Sequence, residues 1–356
     1  MKGLTVVGVI VTLAVTAGSS VASGAGVPEP KTLLTVRSLA AFAQDGEWVA
    51  WADSSSTGLV GCPAVIRLRN LRNGTTRTLS PGRGKCEGFA NDPWPGAGMA
   101  LAGPRVLWGD TYIYNDEHTI AVLTSAPGAR ERVVGRIGRN GGRASDPPVA
   151  FRPVRMAGDG KNLVFVDDSD LGLDHPPQGV VRVVGQRVIA LAGTERAHDV
   201  AVSGDTIAYA EPSQGSCRCD TVVGVSWSTG ATKWRFDLPR ENHVRRLVLN
   251  GSRLVLMIGP RLEVRTTSGG IVRTIPASRA AAEIDLASDS LVYRVGRSIR
   301  LADIRSGAVS TLAKATGTIV GLSIEGRRVM WGEVIRTRRG DEVVRTSPIR
   351  QVVLPR

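Results

Sequence analysis

Seven times along this chain a glycine or small residue is followed by two variable positions, two apolar positions and one large, usually aromatic side chain. The copies are Gly46-Glu-Trp-Val-Ala-Trp51, Gly103-Pro-Arg-Val-Leu-Trp108, Gly160-Lys-Asn-Leu-Val-Phe165, Gly204-Asp-Thr-Ile-Ala-Tyr209, Gly251-Ser-Arg-Leu-Val-Leu256, Ser288-Asp-Ser-Leu-Val-Tyr293 and Gly326-Arg-Arg-Val-Met-Trp331. Their spacings are 57, 57, 44, 47, 37 and 38 residues. A repeat of this length is one supersecondary unit that cannot bury its own apolar faces and must stack on its neighbours.

An alternating run precedes the turn residue in these copies, as in Asp199-Val-Ala-Val-Ser203 and Glu283-Ile-Asp-Leu-Ala287. Alternation with period two marks a strand with one buried face. The turn residue then makes a tight hairpin, because glycine reaches positive φ at little cost. A second hairpin follows the first, turning at Asn73-Gly74, Thr229-Gly230, Gly269-Gly270 or Ser306-Gly307. Two hairpins per unit make a four-stranded sheet. The expectation is an all-β chain: a seven-bladed β-propeller of four-stranded antiparallel blades over residues 26–356. Thr32-Leu-Leu-Thr-Val-Arg37 precedes the first copy and has no other partner. An open ring would leave sheet edges unpaired, so this N-terminal strand is expected to close the ring in the last blade. The large residue closing each second strand is expected to fill the space between blades.

The repeats, with distal turns such as Arg72-Asn-Gly-Thr and Arg305-Ser-Gly-Ala, resemble those of TolB and WD40-like propellers. Ser228-Thr-Gly-Ala-Thr-Lys-Trp-Arg-Phe-Asp-Leu238 is similar to a quinoprotein (PQQ-like) repeat, in which a Thr-Gly turn leads to a Trp on the outer strand. The resemblance implies the propeller fold. Only this copy carries the quinoprotein pattern, and no blade carries the Gly-His and Trp-Asp pair of WD40 proteins.

Residues 1–25 have the layout of a secretory signal: Lys2, an apolar run from Thr5 to Ala17, then small residues up to Ala25. No later segment is apolar enough to span a bilayer. The expected address is therefore secreted or extracytoplasmic, and an uncleaved anchor is the alternative. An even count of four cysteines suits an exported chain. Cys62 and Cys86 both flank the first blade and are expected to bond. Cys217 and Cys219 share one loop, which suits a local bridge or a free or intermolecular pair. The net charge is +13, from 45 basic residues of which six are Lys and 39 Arg. Such a balance points to an anionic partner. Scattered basic residues and few aromatics argue against nucleic acid. A monomer is expected.

Loop lengths carry the functional signal. The loops between second and third strands are long at 53–63, 110–118, 167–178 and 211–220, and shrink to Gly259-Pro260 and Gly296-Arg297. The links at 80–98 and 135–152 are also long. Strand polarity puts these loops and links on one face, where binding is expected over blades one to four. Asp168, Asp170 and Asp174 could place carboxylates around Ca²⁺, with a solvated acidic loop as the alternative; no other cofactor is indicated. Trp94 could meet a ligand or plug the axis. Arg136 and Arg139 stand in a basic glycine-rich stretch that could hold phosphate or serve as a linker. His118, His175, His198 and His243 lie near loops of the same face, where they could converge on the axis as a metal or acid–base cluster. No Gly-x-Ser-x-Gly elbow is present. The favoured expectation is a non-catalytic exported module that binds a protein or cell-envelope polymer. The alternative is an axis-site enzyme of lyase, glycosidase or quinoprotein type.

Overall fold

The structure is a computed structural model and describes residues 28–53, 65–81, 98–114, 117–139, 154–169, 177–185, 187–339 and 342–355. Every regular element within them is a strand. The chain enters through β1 (Lys31–Val36). Blade one is β2 (Leu39–Asp45), β3 (Trp48–Asp53), β4 (Val65–Asn70) and β5 (Thr76–Ser80). Blade two is β6 (Met99–Ala102), β7 (Arg105–Tyr114), β8 (Glu117–Ser125) and β9 (Arg132–Arg139). Blade three is β10 (Met156–Asp159), β11 (Asn162–Asp167), β12 (Gly179–Val184) and β13 (Arg187–Ala190). Blade four is β14 (Asp199–Ser203), β15 (Thr206–Pro212), β16 (Asp220–Ser226) and β17 (Thr232–Asp237). Blade five is β18 (Val244–Asn250), β19 (Arg253–Ile258), β20 (Arg261–Thr266) and β21 (Ile271–Pro276). Blade six is β22 (Ala281–Ala287), β23 (Ser290–Val295), β24 (Ser298–Asp303) and β25 (Val309–Lys314). Blade seven takes β26 (Thr318–Glu325), β27 (Arg328–Arg339) and β28 (Glu342–Val353) from the end of the chain.

Each sheet is antiparallel with its strands in chain order, and the seventh runs β1-β28-β27-β26. Lys31 pairs with Gln351 and Val36 with Ser347, so the two ends of the chain share one blade. The first strands touch in a closed circuit from β2 through β6, β10, β14, β18, β22 and β26 back to β2. The molecule is a seven-bladed β-propeller closed by its N-terminal strand, as the repeats predict.

The apolar core is divided among the seven junctions between blades. Trp108 packs with Ile66 and Leu68 of blade one, and Phe165 with Leu107 and Ile137 of blade two. Tyr209 meets Val164 and Val166, and Leu256 meets Ala208 and Val222. Tyr293 meets Val255 and Leu262, Trp331 meets Val292 and Ile299, and Trp51 meets Met330 and Ile349. In every copy the closing residue of the repeat is buried against the preceding blade. The motif Trp234 is also a packing residue: it lies flat over Gly224, where a Cβ would come within 2.0 Å of the indole.

Two faces result. The turns within hairpins make a turn face; the second-to-third loops and the blade links make a link face. All seven repeat turns are left-handed at the small residue, including Ser288 with φ 51° in the one copy that lacks glycine. The residue before the turn often reaches a neighbouring blade. Asp45 Oδ2 accepts from the N–H of Gly103 at 2.5 Å and of Gly160 at 3.0 Å. Asp159 Oδ2 accepts from Gly204 N–H and Ser203 Oγ from Gly251 N–H. Burial pushes the Asp45 and Glu325 carboxyls up, and Asp159 adds to both.

Asp285 of β22 makes a similar tie to blade seven, accepting from Ile324 N–H at 2.7 Å and Ser323 Oγ–H at 3.0 Å. Burial pushes its carboxyl from 3.8 to about 6, despite these bonds.

Two outcomes follow from this packing. Phe165→Ala should lower the unfolding free energy by about 3–5 kcal/mol, read from denaturant midpoints, because it empties the junction of blades two and three. Between its ordinary value and about pH 6, Asp285 takes up a proton on folding. The stability tied to that proton is complete below its ordinary value and is lost as pH rises through about 6. The melting temperature of Asp285→Asn minus that of the unaltered chain should therefore climb between pH 4 and pH 7. A flat difference would contradict the assignment.

Candidate functional site on the link face

The link face differs from its expected outline in three places. Of 110–118, expected as a loop, residues 110–114 and 117–118 continue β7 and β8 as a paired ladder as far as Tyr114 opposite Glu117. Gly135–Arg139, expected as linker, belongs to β9. Gly135 is there because Phe165 presses on it: a Cβ would lie 2.8 Å from the ring. Blade seven also contributes. Its strands β27 and β28 pair out to Arg339 opposite Glu342, well past the six residues of an ordinary blade strand. Blades five and six stay bare, as expected, with two-residue loops.

Charged and titratable side chains gather on the link face of blade four. Asp220 opens β16 and is almost fully buried. His198 Nε2 donates to its Oδ2 at 3.1 Å, and His243 Nδ1 to its Oδ1 at 3.1 Å. Val244 N–H donates to Oδ2 at 2.7 Å. Burial pushes the Asp220 carboxyl up, but the bonds from His198, His243 and Val244 outweigh it and hold it below the usual range. Each imidazole donates one nitrogen to the shared carboxylate and keeps the other for solvent or a ligand, since His198 is part-exposed and His243 well exposed.

Asp199, beside His198, repeats the arrangement nearer the axis. Its Oδ2 accepts from Leu247 N–H at 2.6 Å, and its Oδ1 lies 3.6 Å from both Arg155 and Arg246. Two buried carboxylates of blade four thus grip the first residues of blade five. Glu211, at the end of β15, is buried and pushed up by desolvation, with Arg235 at 3.7 Å opposing the shift. Burial and Glu211 push the Tyr209 phenol to about 12.

The 213–219 loop completes the patch. The Cys217 and Cys219 sulfurs stand at bonding distance, with Cα atoms 5.3 Å apart. Ser213 N–H donates to Cys219 O at 2.8 Å and Glu241 N–H to Cys217 O at 3.4 Å.

Of the expected site residues, His198, His243, Cys217 and Cys219 come together here. Arg136 is exposed on the outer strand of blade two, away from this group. Asp168 lies just after β11, where Asp167 Oδ1 accepts from the Ser169 hydroxyl at 2.6 Å. Cys62, Cys86, Trp94, Asp170, Asp174 and His175 lie outside the described residues, as do the side chains of His118 and Arg139. Among the described residues no group of three or more His, Cys, Asp or Glu is set to hold a metal. His243 stands with His198 among the histidines expected near these loops, whereas Asp220, Asp199 and Glu211 are not singled out by the sequence. Their one signal is an acidic residue at the end of an apolar strand, as in Asp220-Thr-Val-Val.

No family model and no curated sequence matches this chain. Solved structures do. The β-propeller domain of the trilobed protease from Pyrococcus furiosus, described as having an open velcro topology, superposes with a TM-score of 0.57. It is 11% identical, over 92% of this chain and 97% of that one. A chain of a mitotic checkpoint complex gives 0.52 at 11% identity over 99% of both. A puromycin hydrolase gives 0.52 at 13% identity over 86% of this chain, which spans about half of the hydrolase's length. The shared feature is the propeller fold. Here the ring is fastened through β1 and β28.

Asp220→Ala should cost about 1–3 kcal/mol in urea unfolding, because it strands the buried Val244 N–H, while the two part-exposed imidazoles turn to water. Asp220→Asn keeps an acceptor for Val244 N–H and should cost less. Equal losses would mean that the Val244 bond carries nothing.

Proposed function

We propose that this chain is an exported, non-catalytic propeller that binds an anionic cell-envelope ligand, a polymer or an acidic protein surface, through its link face. One observation carries the reading. In the extended hairpin of blade seven, Arg336 stands directly opposite Arg345. Strand alternation puts Arg338 on the same side. Like charges facing across a ladder destabilise a hairpin. An anionic ligand spanning both guanidinium groups turns that repulsion into binding energy. The net charge of +13 agrees with it. Export rests on the signal-like layout of residues 1–25. The TolB-like and WD40-like reading is a kinship of repeats and architecture.

A second reading is acid–base chemistry at His198 and His243. Asp220 orients both rings, and a carboxylate-held imidazole is a competent general base.

The binding reading is tested with the full chain against immobilised acidic polysaccharide and anionic vesicles. Arg336→Glu with Arg345→Glu should weaken capture by about tenfold or more and flatten its salt dependence. Arg72→Glu, in a hairpin turn on the opposite face, should leave capture within about twofold. Equal loss in both would point to general charge attraction and sink the link-face assignment.

A further inference from the structure

We propose that Cys217 and Cys219 form a redox-exchanging disulfide, a site on the link face that trades electrons with the thiols of a dithiol-bearing polypeptide. The proposal stands apart from the anionic-ligand reading, since it uses blade four and no residue of the blade-seven hairpin.

A bridge between these residues closes a ring over one intervening residue. Such a ring removes only about half the chain entropy that a 15-residue loop does, so it contributes little as a staple. Nor is it needed to place the loop. The backbone bonds from Ser213 to Cys219 and from Glu241 to Cys217 already hold both sides. Asp220, the next residue, is anchored by His198, His243 and Val244. Opening the ring therefore leaves its frame standing.

The backbone around the ring is held in a costly conformation. Three non-glycine residues among those described have positive φ, and two of them meet here: Arg218 at 47° and Glu241 at 63°. Side chains avoid this region unless the surroundings impose it. Exposed or strained bridges are the ones that exchange readily.

The two sulfurs are not equivalent. Cys219 is 2% exposed, whereas Cys217 is half-buried between exposed Ser216 and Arg218. An incoming thiolate thus reaches Cys217 Sγ. It forms a bond to that sulfur as the Cys217–Cys219 bond breaks, and the electron pair leaves on Cys219 Sγ as thiolate. Arg218, exposed and next to Cys219 in sequence, is the nearest cation along the chain, and the thiolate then takes a proton from water. The second thiol of the substrate, once deprotonated, attacks its own sulfur in the mixed disulfide and releases Cys217. The substrate dithiol is oxidised to a disulfide, and Cys217 and Cys219 are reduced to two thiols. Run backwards, the same steps reduce a substrate disulfide.

The test uses the full chain in native buffer with glutathione as the probe, followed by alkylation and peptide mass spectrometry. Millimolar reduced glutathione should open the pair while the chain stays folded, at a rate unchanged by low urea. Cys219→Ser should accumulate glutathione on Cys217 when given oxidised glutathione. Cys217→Ser should carry at least about tenfold less on Cys219, because that sulfur is buried. Tryptophan fluorescence confirms that each variant is folded. A pair that opens only as fast as the chain unfolds would overturn the proposal, as would one found reduced after oxidised glutathione. The unaltered chain decides both points should a variant fail to fold. Equal adducts on the two single variants would overturn the assignment of Cys217 as the point of attack.

Discussion

The contact between each blade's second strand and the blade before it organises the whole molecule. Trp51, Trp108, Phe165, Tyr209, Leu256, Tyr293 and Trp331 each place a large apolar body into such a junction. A four-stranded sheet with two apolar faces is unstable in water by itself. In a ring every face is covered, provided the ring closes. Closure falls to β1, which brings Val36 into the same cluster as Trp51 and Met330. The first strand in sequence thereby completes the last blade, and the junction between blades seven and one becomes equivalent to the rest.

Polar ties supplement this burial at the rims. On the turn face, Asp45 reaches the turn N–H groups of blades two and three, and it takes both because blade two has Ala102 at the corresponding position. On the link face, Asp199 and Asp220 grip blade five in the same manner. The difference lies in what surrounds them. Turn-face ties sit among short hairpin turns. Blade-four ties sit beside two part-exposed imidazoles and a cysteine pair. The same rigid junctions that hold the disc leave its link face free to vary.

Much of this was legible from residue patterns, and the failures have physical causes. The seven turns and their large closing residues were readable because period-two alternation and left-handed turn residues are local. Gly135 was misread as linker because its meaning depends on Phe165, a residue of the next blade. Residues 110–118 were misread as loop because Asp110 and Thr111 break the apolar run, although the ladder hydrogen bonds continue regardless of side chain. The blade-seven hairpin was overlooked for the same reason. His198 and His243 are both legible as loop histidines 45 residues apart (243 − 198), but the Asp220 carboxylate that joins them does so only through the stacking of blades four and five.

By itself the sequence determined that the chain is a closed stack of seven sheets, which residue of each repeat is buried, and which loops share a face. These follow from interactions within a hairpin or between consecutive repeats, so they are written at short range. Only the tertiary structure decided that Asp220 would be shared by two histidines, that Arg336 would face Arg345, and that a cysteine ring over one intervening residue would sit on a braced loop beside a buried carboxylate. Each depends on register or on the approach of separate blades, and a side chain carries no record of what another blade will bring to it.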